Sequence, residues 1–293
     1  MTARRRLVRV PASSANLGPG YDVLAAALTL HLELEVEETG SFAVEAEGLD
    51  VPLDRSNLCV RAFELLRPAD EISFRIRSEI PLTAGLGSSA AAIVAGLIAA
   101  DHLYEMALEP DDLLGFAVEL EGHPDNVAAA LHGGFVICTP RGGPVIRLNP
   151  PQGVEAVLVI PSEQVPTESA REAIPAQVAH ADAVSNLAAA AALVLGIERS
   201  DPSLISLGLD PAHERLHQPH RATLYPRSLE LVAEAAALGA LGATISGAGP
   251  TVMAWSFWQS TGDVVAALRK RVGDWAEVRR VPFSAMGADV PEL

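Results

Sequence analysis

Pro81-Leu-Thr-Ala-Gly-Leu-Gly-Ser-Ser-Ala-Ala-Ala92 is a glycine–serine turn that runs directly into an apolar stretch ending at Asp101. An apolar run with no polar stripe is the pattern of a helix buried within a domain, so the turn opens a central helix. Gly85 and Gly87 permit positive φ and close backbone approach. Ser88 and Ser89 begin the helix, whose unpaired N–H groups and positive dipole end favour an anion. The turn therefore reads as a phosphate cradle. It is not a Walker loop, because that pattern requires G-x-x-x-x-G-K-[ST] and Lys270 is the only lysine in the chain. Backbone dipoles, serine hydroxyls and a metal must hold any phosphate here.

Working outward, 293 residues suffice for two ordinary domains. The densest turn-forming clusters are Pro140-Arg-Gly-Gly-Pro144 and Asn149-Pro-Pro-Gln-Gly153, and the second sets an expected boundary between domains 1–150 and 151–293. In the first part, residues 31–37 and 72–77 alternate with period two and read as half-buried strands. Residues 57–66 and 110–121 read as helices, and 133–138 as a strand. The second part mixes expected strands at 155–160, 252–258 and 276–281 with helices at 181–195, 228–238 and 263–272, which predicts a two-layer α+β domain.

Composition narrows the partners. A formal charge of −16 argues against nucleic acid, whose backbone needs a clustered basic face. The longest uncharged apolar run, 90–100, is too short to span a bilayer, so no membrane partner is expected. Arg4, Arg5 and Arg6 are followed by Val8-Arg9-Val10-Pro11 and not by an apolar signal region, which predicts a mature cytoplasmic protein. Cys59 and Cys138 have no metal-ligand spacing and read as reduced and inert.

Polar residues gather in three further glycine-rich or acidic stretches. They are Val10-Pro-Ala-Ser-Ser-Ala-Asn16-Leu-Gly-Pro-Gly-Tyr-Asp22, Glu119-Leu-Glu121-Gly-His-Pro-Asp125-Asn126, and Gly242-Ala-Thr-Ile-Ser-Gly-Ala-Gly-Pro-Thr251. With residues 81–96 they resemble, in order, the motifs of the GHMP kinases, and the first and second of these stretches resemble those of the homoserine kinases in particular. Thr167-Glu-Ser-Ala-Arg171 and His217-Gln-Pro-His-Arg221 are similar to the two homoserine-kinase segments that each supply an arginine. One departure stands out: Tyr21 occupies a position where the family usually has phenylalanine.

The resemblance implies an α+β, two-domain GHMP kinase fold. Its N-terminal α/β domain would be of the kind seen in a small-subunit ribosomal protein, and its C-terminal α+β domain ferredoxin-like. It implies transfer of a phosphoryl group from ATP, with Mg²⁺, to L-homoserine, giving O-phospho-L-homoserine on the route to threonine. The ATP phosphates would lie on Pro81, Leu82, Thr83, Ala84, Gly85, Leu86, Gly87, Ser88, Ser89, Ala90 and Ala91. Mg²⁺ would be held by Ser89, or Ser88, with Glu121, because hard Mg²⁺ takes one or two carboxylates plus phosphate oxygens and water. A loop shorter than in some relatives leaves Glu119 open as the alternative to Glu121.

For the substrate, Arg171 and Arg221 would clamp the carboxylate, since a planar guanidinium bonds a carboxylate bidentately. Asn16 and Asp22 would take the ammonium, with His123, Thr167 and Gly247 as further contacts. Asp125 and Asn126 would orient the attacking hydroxyl, with Glu121 completing the catalytic group. Phosphoryl transfer has a loose transition state that needs mainly alignment and charge neutralisation, so positioning alone serves much of the chemistry. A homodimer is the oligomer that the resemblance suggests.

Overall fold

The computed structural model describes residues 4–139 and 143–292, so most of the Pro140–Pro144 cluster lies outside the described residues. Two sheets carry the chain. The first has the order β3-β4-β2-β5-β6, with β1 (Arg5–Ala15) also paired to β2 (Leu24–Glu38). Strands β4 (Ile72–Ser78), β5 (Phe135–Cys138) and β6 (Val145–Leu148) join antiparallel, and β3 (Ala43–Ala46) runs parallel to β4. The second sheet has the order β10-β7-β9-β8, built from β7 (Val154–Pro161), β8 (Gly242–Ile245), β9 (Val252–Phe257) and β10 (Ala276–Arg280).

The period-two reading of β2 holds in its outer half. Leu32, Leu34 and Val36 are buried, while Glu35 on the other face takes Arg5 at 2.5 Å and Arg75 at 2.7 Å. Its inner half, Leu24–Leu28, is buried on both faces because helices and strands cover it. The first polar stretch, by contrast, is not simply a loop. Residues up to Ala15 belong to β1, and only at Asn16 and Leu17 does the chain turn with positive φ.

Helix α1 (Leu58–Glu64) is capped by Asn57, whose side-chain oxygen accepts from the Cys59 N–H. It crosses α2 (Ser88–Leu103) so closely that a Cβ at Gly96 would sit 2.2 Å from the Cys59 carbonyl. Helix α2 is buried along nearly its whole length, as its unstriped composition requires. Helices α3 (Pro110–Glu121) and α4 (Pro124–His132) follow, both started by proline at the first helical position.

After β7 come α5 (Thr167–Glu172), α6 (His180–Arg199), α7 (Pro202–Gly208) and α8 (Pro226–Glu234), with α9 (Thr261–Val272) between β9 and β10. Among the described helices α6 alone is long and apolar enough, by length and composition, to cross a bilayer. Ser185 and Asn186 interrupt its charge-free stretch, 183–197, so its unbroken apolar run is only 187–197. Such a helix equally suits packing inside a folded domain, and Leu193 and Ile197 of α6 are buried in the main core.

The strands divide between the two sheets near residue 150, but the core does not. Trp255 of β9, Phe135 of β5 and Phe283 stack with ring centroids 4.7–5.5 Å apart, joining both sheets. The segment after β10 returns to the first sheet, where Leu28 bridges to Phe283 and Arg9 to Asp289. This junction between the sheets is where the polar stretches meet.

Candidate active site

Helix α2 begins without a side-chain cap: Gly87 holds the N-cap position at φ +68°, and the first helical bond runs from the Ala91 N–H to the Gly87 carbonyl. The N–H groups of the first turn therefore open into the cleft that Gly87, Ser88 and Ser89 line. The glycines also have a second reason. A Cβ on Gly85 would lie 2.3 Å from the Ser246 carbonyl, and one on Gly87 would lie 2.1 Å from Ser13 Oγ. Close approach is thus demanded by the neighbouring loops of the protein itself, in addition to any ligand.

Of the eleven turn residues, Thr83, Gly85, Leu86, Gly87, Ser88 and Ser89 line this cleft. Ala90 and Ala91 are buried in the helix, and Pro81, Leu82 and Ala84 line an adjoining surface groove. The turn between β8 and β9 closes over the cradle. Ser246 Oγ donates to the Gly85 carbonyl at 2.7 Å, and Gly247 lines the cleft.

Helices α3 and α4 bring the acidic group. Glu121, at the end of α3, accepts a hydrogen bond from Ser89 Oγ at 2.8 Å, whereas Glu119 is exposed. Burial raises the Glu121 pKa, partly offset by the Ser89 hydrogen bond. Asp125 sits in the first turn of α4 and is only 3% exposed. Its carboxylate accepts from the Asn126 N–H at 2.7 Å, yet burial dominates and pushes its pKa up to about 6. Asn126 accepts from Ser13 Oγ at 2.9 Å, and with His123 both line the cleft. Burial lowers the His123 pKa, so the ring is neutral near pH 7.

Opposite lies the basic group. Arg221 is 1% exposed and among the described residues has no carboxylate within ion-pair distance. It donates to the carbonyls of Ala170 (2.8 Å) and Gly247 (3.1 Å) and to His217 Nδ1 (3.1 Å). That last bond requires a neutral His217 with its proton on Nε2, which faces the Gly18 carbonyl at 2.8 Å. Burial supplies this state by lowering the His217 pKa to about 4. Arg171, in the last turn of α5, and Thr167 also line the cleft. Both arginines flank one ring, Tyr21, at 5.8 and 5.7 Å from its centroid.

Two expected substrate contacts are otherwise engaged. Asn16 donates to the Gly247 carbonyl at 2.8 Å and accepts from the Asp22 N–H at 3.0 Å, so its amide stitches two loops together while lining the cleft. Asp22 faces Arg171, with Arg171 Nη2 donating to Oδ1 at 2.8 Å. Sequence reasoning assigned no role to His217, Tyr21 or Ser13; the signal for Ser13 and Tyr21 was their place inside the first motif. It also left unplaced an apolar cleft beyond Thr83, Ser88 and Ser89, lined by Leu49, Val51, Pro52 and Leu58.

An uncapped helix start, one buried and one half-buried carboxylate and an arginine with no counter-ion among the described residues, gathered between two sheets, are the features of a small-molecule kinase site. A family model described as "GHMP kinases N terminal domain" matches residues 57–134, and one described as "GHMP kinases C terminal" matches 189–275. The chain is 38% identical to a homoserine kinase from Moorella thermoacetica over 97% of this chain and 99% of that one. It is 41% identical to one from Streptomyces coelicolor, covering 98% and 94%. A crystal structure of homoserine kinase from Cytophaga hutchinsonii superposes with a TM-score of 0.87 at 29% identity, covering 98% of each chain. The chain belongs to the GHMP kinases and, within them, to the homoserine kinase family.

Proposed function

We propose that this chain transfers the γ-phosphoryl group of ATP to the hydroxyl of L-homoserine, giving ADP and O-phospho-L-homoserine. The observation that carries the reading is Arg221: a buried guanidinium, oriented by His217 and lining the cleft, with no carboxylate partner among the described residues. A buried charge without a partner is costly, and a substrate carboxylate relieves it.

Each residue then has a chemical task. The N–H groups opening α2 and the turn at Gly85 and Gly87 receive the phosphates, and the apolar cleft at Val51, Pro52 and Leu58 receives the base. Arg221 and Arg171 hold the substrate carboxylate, and Thr167 and His123 border the same space. Asp125, mostly ionised near pH 7 with a pKa of about 6, accepts the hydroxyl proton as that oxygen bonds to phosphorus and the bond to ADP breaks. Asn126 holds the Asp125 carboxylate through its backbone N–H.

The donor set fits Mg²⁺. Ser89 Oγ and the Glu121 carboxylate face each other at 2.8 Å, two hard oxygens beside the phosphate turn. Mg²⁺ takes one or two carboxylates and completes its shell with phosphate oxygens and water, so few protein oxygens suffice. Ser89 and Glu121 would hold it, and it would supply neutralisation of phosphate charge.

A coupled assay of ADP release tests the reading with homoserine, mevalonate, serine, threonine and shikimate as acceptors. Homoserine should stimulate release far above the others. Absence of homoserine-dependent ADP release would overturn it.

A further inference from the structure

We infer that the outer face of α6 is the contact surface for a second copy of this chain, with the two α6 helices packed antiparallel across a two-fold axis at Ala191. A homodimer, expected from the sequence resemblance, needs a face that pairs with itself, and α6 supplies one. One side of this helix is committed within its own chain. Gly196 and Gly208 bring α6 against α7, where a Cβ on Gly208 would lie 2.6 Å from Leu193 Cβ. The opposite side is apolar and open. Val184, Leu187 and Leu195 are 54%, 70% and 39% exposed, and Ala188 and Ala191 are exposed between them. Beside this face runs an apolar groove, in which Leu187, Ala191 and Leu195 meet Leu24, Ile137 and Leu148.

The spacing along α6 selects the occupant. Val184, Ala188, Ala191, Leu195 and Glu198 follow one another at steps of four, three, four and three, which is the seam of a coiled coil. The pattern is also symmetric about its own centre. Leu187 and Leu195 stand four residues either side of Ala191, a small residue that lets two backbones approach. The charges are antisymmetric, with Asp182 nine residues before Ala191 and Arg199 eight after it. A two-fold axis at Ala191 therefore sets Leu187 beside the partner's Leu195, and Asp182 within one residue, about 1.5 Å, of level with the partner's Arg199. Parallel helices would instead set like charges together. A helix of 20 residues is about 30 Å long, and one helix width plus one layer spacing is about 20 Å, so two copies would cover about 1,200 Å², above the total of about 1,000 Å² that a specific contact needs. A lipid surface fits less well, because helices that lie in a membrane interface are rich in lysine and arginine, whereas this chain carries a formal charge of −16.

The test is the association state of the full chain by sedimentation equilibrium. Wild type should be dimeric at micromolar concentration. Ala191→Glu sets two carboxylates against each other at the axis and should raise the dimer Kd about a hundredfold, with an unchanged far-ultraviolet circular dichroism spectrum. Arg199→Asp leaves the apolar face intact and should raise Kd about tenfold, because each reversal acts on two equivalent pairs. Adding Asp182→Arg to Arg199→Asp should restore the wild-type value, which only the antiparallel register allows. If Ala191→Glu does not fold, the two charge reversals decide. Monomeric wild type overturns the inference, including wild type that floats with phosphatidylcholine vesicles instead. So does a folded Ala191→Glu that stays dimeric, or a doubly reversed chain that associates no better than Arg199→Asp.

Discussion

Asp125→Asn should yield a protein that is more stable and far less active, and the gain in stability should depend on pH in a defined way. Burial raises the Asp125 pKa from 3.8 to about 6. At about 1.4 kcal/mol per pKa unit this corresponds to about 3 kcal/mol. Because the folded protein holds the proton more tightly than the unfolded chain, the term favours the native state at low pH. It is lost as pH rises between these two values, with the full cost present above pH 6. Asparagine cannot ionise, and its side-chain oxygen can still accept from the Asn126 N–H. Urea unfolding at a series of pH values should therefore show similar stability for wild type and variant near pH 4, diverging to about 3 kcal/mol in favour of the variant at pH 8. In parallel, kcat should fall by about 10² to 10⁴, and the acidic limb of the wild-type rate profile, with its midpoint near the Asp125 value of about 6, should vanish. A stability difference that does not change with pH would refute the assignment of a buried, ionising carboxylate at this position.

Two other perturbations probe the cradle and the arginine support. Gly87→Ala puts a methyl group 2.1 Å from Ser13 Oγ at φ +68°, whereas Gly122→Ala meets nothing within 4 Å at φ +84°. Both substitutions should cost about 1–3 kcal/mol of backbone strain. Only Gly87→Ala should lose more than that and raise KM for ATP, and equal losses in thermal unfolding would argue against the loop contact. His217→Ala removes the acceptor for Arg221, which should destabilise by about 1–3 kcal/mol and raise KM for homoserine with KM for ATP unchanged. An unaltered KM for homoserine would show that Arg221 is held well enough by the carbonyls of Ala170 and Gly247.

The glycine–serine turn and the helix behind it could be read from the chain because their physics is local. A glycine–serine turn before a run of small apolar residues specifies an uncapped, buried helix start, and anion affinity follows from that geometry. The alternation at Leu32, Leu34 and Val36 likewise marks a half-buried strand without reference to anything else. Glu119 and Glu121 show where local reasoning stops. Two residues apart on a helix they point about 160° away from each other, so only one can reach Ser89. The docking of α3 against α2 decides that it is Glu121.

The residues that line the cleft opposite the turn come from distant parts of the chain, and their arrangement depended on packing. Asn16 and Asp22 both looked available for an ammonium group, yet the first spends its amide on Gly247 and the second faces Arg171, 149 positions away. Sequence by itself determined the glycine–serine turn, the buried helix behind it and the order of the motifs, because helix starts and strand periodicity are encoded over a few neighbouring residues. Only the tertiary structure decided which carboxylate is buried, which arginine has no counter-ion among the described residues and which is already paired, because desolvation and ion pairing are set by neighbours that folding brings together.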